Sequence, residues 1–143
     1  MTATKVAVAP LFMKDCLFRV GPEATGFDFE AHLSGVVFTP ATSMQSWKGL
    51  TPESVHTDGS APTWTADLSY VQDWETANSL SNYLFAHQGE TVPVKFEPKK
   101  GGKPIYAKIV IQPGAIGGQV DSFAATTVSL GVSGAPSFTA PAA

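Results

Sequence analysis

With one cysteine, Cys16, in 143 residues, the chain can form no internal disulfide, and nothing in it implies an oxidising compartment. In "DCLFRV" that cysteine reads as a small buried apolar residue. Histidine is scarce too: His32, His56 and His87 are scattered and no short-spaced Cys/His pair exists, so neither zinc nor any other cofactor is expected. Long apolar runs are missing. In "MTATKVAVAPLFMKDCLF" Lys5, Pro10, Lys14 and Asp15 break up the apolar residues, which argues against a signal peptide or a membrane span and for a protein made in a cytoplasm. Charge is sparse at 15%, and the net value of −3 does not suit a dedicated nucleic-acid binder. Catalytic signatures are absent as well. "KKGGKP" lacks the Walker spacing and ends in proline where Ser or Thr is required. "GVSGA" misses the G-x-S-x-G elbow, and Pro136 opposes the helix that must follow it, so Ser133 reads as a strand-end residue. Asp28 and Glu30 read as a hydrated surface, so an enzyme is unsupported.

What is present is alternation. The length fits a single domain, residues 1–143, able to bury roughly 70% of its unfolded surface without staples. In "FDFEAHL", Phe27, Phe29, Ala31 and Leu33 share one face of a predicted strand and Asp28, Glu30 and His32 the other; "GVVF" then shifts the phase to Val36 and Phe38, as a bulge would. "TWTADLSY" sets Trp64, Ala66, Leu68 and Tyr70 against Thr63, Thr65, Asp67 and Ser69. "TVPVKFE", "IYAKIVI" and "TTVSLGVS" repeat the pattern with Val92, Val94 and Phe96, with Ile105, Ala107, Ile109 and Ile111, and with Val128, Leu130 and Val132. One wet and one dry face per strand predicts antiparallel sheets. One helix interrupts them, with Asp73 as the expected N-cap, Gly89 as its stop, and Ala77, Leu80, Tyr83, Leu84 and His87 as its apolar stripe. Residues 48–62, "KGLTPESVHTDGSAP", show no sustained period and are expected to form a long loop. "PKKGGKP" reads as a tight basic hairpin turn, and residues 137–143 as a flexible tail. Charge is polarised: residues 1–90 hold four Lys/Arg against ten Asp/Glu, and residues 91–143 hold five against two. The halves are either solvated faces or complementary surfaces on neighbouring copies.

The order of these elements resembles the major tail protein, or tail tube protein, of long-tailed bacteriophages. The features that carry the resemblance are "SWKGLTP", "YVQDWETANSLSNYLFAHQG", "TVPVKFEPKKGGKPIYAKIVI" and "GAIGGQVDSFAATTVSLGVSGAPSF", over roughly residues 38–138. Gln72 and Asp73 precede the helix, Gly89 closes it, Phe96 and Pro98 open the hairpin, Gly117 and Gly118 precede the last strand, and Gly134 and Pro136 end it. The resemblance implies a mainly β fold, an antiparallel β-sandwich or barrel with one flanking α-helix. It further implies a virion protein whose six copies form a ring, with rings stacked into a tube that carries DNA out of the capsid. The expected partners are other copies of the chain, with tape measure, tail terminator and distal tail proteins at the ends, no membrane, and DNA that passes without specific binding. On that reading Asp28, Glu30 and His32 face the lumen, although the same wet face also suits the tube exterior or a subunit contact. Lys99, Lys100 and Lys103, and Pro52, Glu53 and His56 in the loop, then meet neighbouring subunits or rings. The alternative is a monomeric β-sandwich binding module, of capsid-decoration or carbohydrate-binding type, with Trp47 or Trp74 as its platform; Trp64 reads as core. A small hydrolase using Ser133 or the histidines is a third possibility.

Overall fold

The computed structural model describes residues 3–22 and 26–139. Within them the chain runs β1 (Leu17–Val20), β2 (Phe27–Asp28), β3 (Leu33–Ala41), β4 (Met44–Lys48), β5 (Val55–Gly59), β6 (Thr63–Val71), α1 (Leu80–Ala86), β7 (Thr91–Glu97), β8 (Ile105–Val110) and β9 (Ala125–Gly131). Every strand pairing is antiparallel, in a four-stranded sheet β2-β1-β7-β8, a three-stranded sheet β3-β6-β9 and a separate hairpin β4-β5. The first two sheets face each other across one core, a sandwich that does not close into a barrel.

The dry faces read from the sequence meet in that core. Phe18, Val94, Phe96, Ala107 and Ile109 come from one sheet, and Val36, Ala66, Leu68, Tyr70, Val128 and Leu130 from the other. Burying each large side chain contributes about 1.5–3 kcal/mol, which is why strict alternation fixes the register: a slip of one residue would turn every one of them to water. Leu80 and Leu84 of α1 join the same cluster, so the helix covers its flank. The phase shift in β3 is real, an irregularity between Leu33 and Gly35 opposite β6.

Three expectations are corrected. "FDFEAHL" is not one strand. β2 stops at Asp28, Phe29 turns inward and is 1% exposed, and the amide of His32 donates to the carbonyl of Phe29 (2.9 Å), closing a turn before β3. Residues 48–62 are not one continuous loop. Val55–Gly59 pairs with Met44–Lys48 in full register, from Met44↔Gly59 to Lys48↔Val55. The helix is shorter than predicted and its N-cap is Ser79, whose hydroxyl accepts from the amide of Asn82 (3.3 Å). Asp73 caps an earlier turn instead, taking the amides of Glu75 (3.1 Å) and Thr76 (3.2 Å). Gly89 does stand beyond the helix at φ +87°, a conformation that favours glycine, and its amide reaches the carbonyl of Ile111 (2.7 Å). At the other end of the chain, Ser137 is tied to Tyr106 by reciprocal backbone hydrogen bonds of 2.7 Å, so the expected flexible tail begins no earlier than residue 138; residues 140–143 lie outside the described residues.

Candidate assembly surfaces

The hairpin β4-β5 stands apart from the sandwich. All ten of its strand residues are exposed on both faces, and none belongs to the core cluster. Its foot is held by two serines: the amide of Ser60 donates to the carbonyl of Ser43 (2.9 Å), the amide of Ser43 to the hydroxyl of Ser60 (3.1 Å), and the two hydroxyls meet at 3.1 Å. Above that foot, Trp47 sits across from His56 with ring centroids 5.9 Å apart. At the tip, Gly49 donates to the carbonyl of Ser54 (2.5 Å), and Leu50, Pro52 and Glu53 point into solvent. Met44, Trp47 and Val55 each keep more than half of their surface exposed, and Leu50 keeps all of it. A hairpin with no face buried has no reason to hold these apolar groups for its own stability.

The basic turn follows β7. Gly101, at φ +84°, lets the chain reverse, and the amide of Gly102 closes on the carbonyl of Lys99 (2.7 Å). Lys99, Lys100 and Lys103 are all exposed; the backbone of Lys100 is anchored to the carbonyl of Asp15 (2.8 Å), and the ammonium of Lys103 lies 4.3 Å from the centre of the Phe138 ring. The turn is pinned through its backbone, which leaves the exposed ammonium groups of Lys99 and Lys100 turned to solvent, while that of Lys103 rests on Phe138.

Asp28, Glu30 and His32 do not share a strand face. Asp28 sits opposite Arg19 and accepts its Nε at 2.7 Å. Glu30 is half-buried in the following turn beside a hollow of about 60 Å³ lined by Cys16, Phe18, Val36 and Phe96, and its Oε2 finds no hydrogen-bond partner among the described residues. His32, also half-buried, sets its ring edge-on to Phe29 at 5.9 Å. Cys16 is half-buried, its thiol donating to the carbonyl of Pro98 (3.1 Å).

Sequence reading missed a brace. The side-chain amide of Gln72 donates to the carbonyl of Gly117 and accepts from its amide, each at 2.9 Å, while the indole Nε1 of Trp74 donates to Gln72 Oε1 (3.2 Å). Two junction residues far apart in sequence are thus locked together, and Gly117 takes φ +107° to allow it. Trp74 also meets Phe85 edge-on at 6.4 Å, an aromatic pair on the helix flank. The Asp73 carboxyl lies below its usual range, chiefly because the hydroxyl and amide of Thr76 hold the charged form; burial pushes the phenols of Tyr70 and Tyr83 up.

No family model and no curated protein matches the chain. Solved structures do. A chain of the virion of a native gene transfer agent particle superposes with a TM-score of 0.63 at 15% identity, covering 88% of this chain and 96% of that one. A chain of the tail of an empty gene transfer agent particle, determined with six-fold cyclic symmetry, gives a TM-score of 0.64 at 14% identity with the same coverage. The overall fold is thus one shared with chains found in a gene transfer agent particle and its tail.

Proposed function

We propose that this protein is a structural subunit of a phage-type tail, six copies of which close into a ring, with rings stacking into a tube through which DNA leaves the particle. The observation that carries the reading is the likeness over 88% of the chain to a tail subunit arranged with six-fold symmetry. The hairpin β4-β5 supports it physically. An exposed arm carrying Met44, Trp47, Leu50 and Val55 is stable against aggregation only if another surface covers those groups, and in a repeating assembly that surface belongs to the next copy. The Lys99, Lys100 and Lys103 turn then meets the acidic N-terminal part of a neighbour, while Pro52, Glu53 and His56 ride on the arm into the adjacent ring. Tape measure, terminator and distal tail proteins bound the tube, and the mature location is the virion.

Negative-stain microscopy of the purified protein tests this directly. Rings or hollow tubes are expected. A compact monomer at every concentration would sink the proposal and favour a binding module whose platform is Trp47, 64% exposed on the arm.

A further inference from the structure

The loop between β8 and β9 displays an aromatic ring that the fold does not use. Gln72 holds both ends of its outer part: its side chain takes Gly117 as described above, and its backbone amide donates to the carbonyl of Ala124 (2.7 Å). The neck is tight, since a methyl group on Gly118 would stand 3.0 Å from the Cβ of Ala124. Beyond the neck the chain closes on itself. The hydroxyl of Ser122 donates to the carbonyl of Gln119 (3.1 Å), and Asp121 takes φ +67°, a conformation that its short polar side chain tolerates. Compact loops whose ends meet in this way are frequently functional. This one carries Phe123 with 92% of its surface exposed, more than any other aromatic ring among the described residues.

The hollow of about 60 Å³ beside Glu30 matches that ring in size and chemistry. One water takes roughly 10–15 Å³ of such a space, so the hollow has room for about four to six heavy atoms, the size of a phenyl ring. Phe18 and Phe96 line it, together with the sulfur-bearing Met13 and Cys16. Sulfur and aromatic edges are favourable neighbours for a ring. Glu30 Oε2, which finds no hydrogen-bond partner among the described residues, can face the positive edge of one. Loop and hollow lie at the same level on opposite sides of the three-stranded sheet. Leu33, on the wall of the hollow, and Thr126, just past the loop, both pair with Tyr70, and β6 separates their strands. A knob on one side and a matching hollow on the other make a heterologous contact, which joins each copy to the next.

We infer that Phe123 of one copy seats in the hollow formed by Met13, Cys16, Phe18, Glu30 and Phe96 of a second copy, as the anchor of their contact. This rests on the assembly reading above and adds the side chain that locks neighbour to neighbour. Because Gln72 already fixes both ends of the loop, the ring is presented with little ordering left to pay on docking. Charge agrees with the fit: the exposed Lys14 adjoins Met13, and the loop brings the exposed Asp121 two positions from the ring. Cys16 would then be covered by the neighbour's ring, although it is only half-buried in a single subunit.

The test uses the full chain and its native thiol as reporter. The rate at which iodoacetamide modifies Cys16 is measured in unassembled subunits and in tubes, for the unmutated chain, Phe123→Leu and Phe123→Ser. Assembly should slow the reaction about tenfold or more in the unmutated chain and measurably in Phe123→Leu. Phe123→Ser should need about a tenfold or greater concentration to form tubes, and any tubes it forms should leave Cys16 as reactive as in subunits. Complete failure of Phe123→Ser to assemble, with an unchanged thermal midpoint and with Phe123→Leu still assembling, equally supports the anchor. Tube formation by Phe123→Ser at the normal concentration, protection of Cys16 in its tubes, or a Cys16 in unmutated tubes as reactive as in subunits would overturn it. Absence of tubes from the unmutated chain would instead bring down the assembly reading, and this inference with it.

Discussion

Cutting off the hairpin β4-β5 separates assembly from folding more cleanly than any point substitution. Ser43 and Ser60 already face each other across backbone hydrogen bonds, so residues 44–59 can be replaced by Asn-Gly, whose type I′ turn suits a two-residue hairpin connection. All ten strand residues removed are exposed and none touches the core cluster, so the hydrophobic loss to the sandwich is close to nil. The connection shortens about eightfold, and at roughly 0.6 kcal/mol per halving the closure entropy favours the variant by at most about 1.8 kcal/mol. The thermal midpoint should therefore stay level or rise by a few degrees. Assembly should fail. Covering the exposed parts of Met44, Trp47, Leu50 and Val55 contributes on the order of 1–2 kcal/mol each, or roughly 4–8 kcal/mol per arm before ordering costs, repeated in every copy. Differential scanning calorimetry and sedimentation of the same sample read both quantities. A midpoint lowered by ten degrees or more, or long tubes formed by the shortened chain, would refute the reasoning.

Leu130→Ala should cost about 2–5 kcal/mol in urea unfolding, toward the upper end because its partner across the sheet, Ala66, is too small to fill the space; a loss below 1 kcal/mol would show that the core is not packed as described. Ser79→Ala removes the helix cap and a hydroxyl donated to the carbonyl of Asp73, for about 1–2 kcal/mol, whereas the sequence-expected cap, Asp73, should matter less to helix content by circular dichroism. Because Asp73 titrates lower in the folded state than in the unfolded chain, it stabilises above the usual carboxylate range and loses that contribution as pH falls through its folded value; Asp73→Asn should lower stability at neutral pH, leave the most acid end little changed, and so flatten the acid side of the stability curve. Lys99→Glu, Lys100→Glu and Lys103→Glu together should impair tube growth, most visibly at low salt, while the thermal midpoint stays nearly constant, since exposed pairs contribute only about 0.2–1 kcal/mol each. Growth of that triple variant at the normal rate in low salt would remove the turn from the interface.

Most of the sandwich was legible because burial leaves a period. β6, β7, β8 and β9 carry their apolar residues two apart, and the core uses those residues. The arm was not legible for the same reason inverted: a hairpin exposed on both sides has no dry face, so Gln45, Trp47, His56 and Asp58 could not advertise a strand. At "FDFEAHL" a turn happened to keep the alternation of a strand while burying only Phe29 fully, and Phe27 remained 39% exposed. The helix start was ambiguous because Asp73 and Ser79 are both good caps, and only the packing of Leu80 and Leu84 decides which turn the helix begins on. Of the expected contact residues, the basic turn kept its predicted form, Pro52 and Glu53 stand in the turn at the tip of the projecting hairpin, and His56 lies in its second strand. The Gln72 to Gly117 brace could not be foreseen, since no local pattern announces a side chain that reaches a backbone 45 positions away.

The serine foot of the arm has a mechanical side. A few hydrogen bonds between Ser43 and Ser60 hold the arm at its base, with no apolar packing to stiffen its angle against the body. Discs linked through such feet would form a stack whose compliance lies in the links, so the whole filament could curve while each sandwich stayed undeformed. Stiffening the foot with a proline at position 61 would lengthen the distance over which such a filament stays straight, while leaving Met44, Trp47, Leu50 and Val55 of the arm as they are.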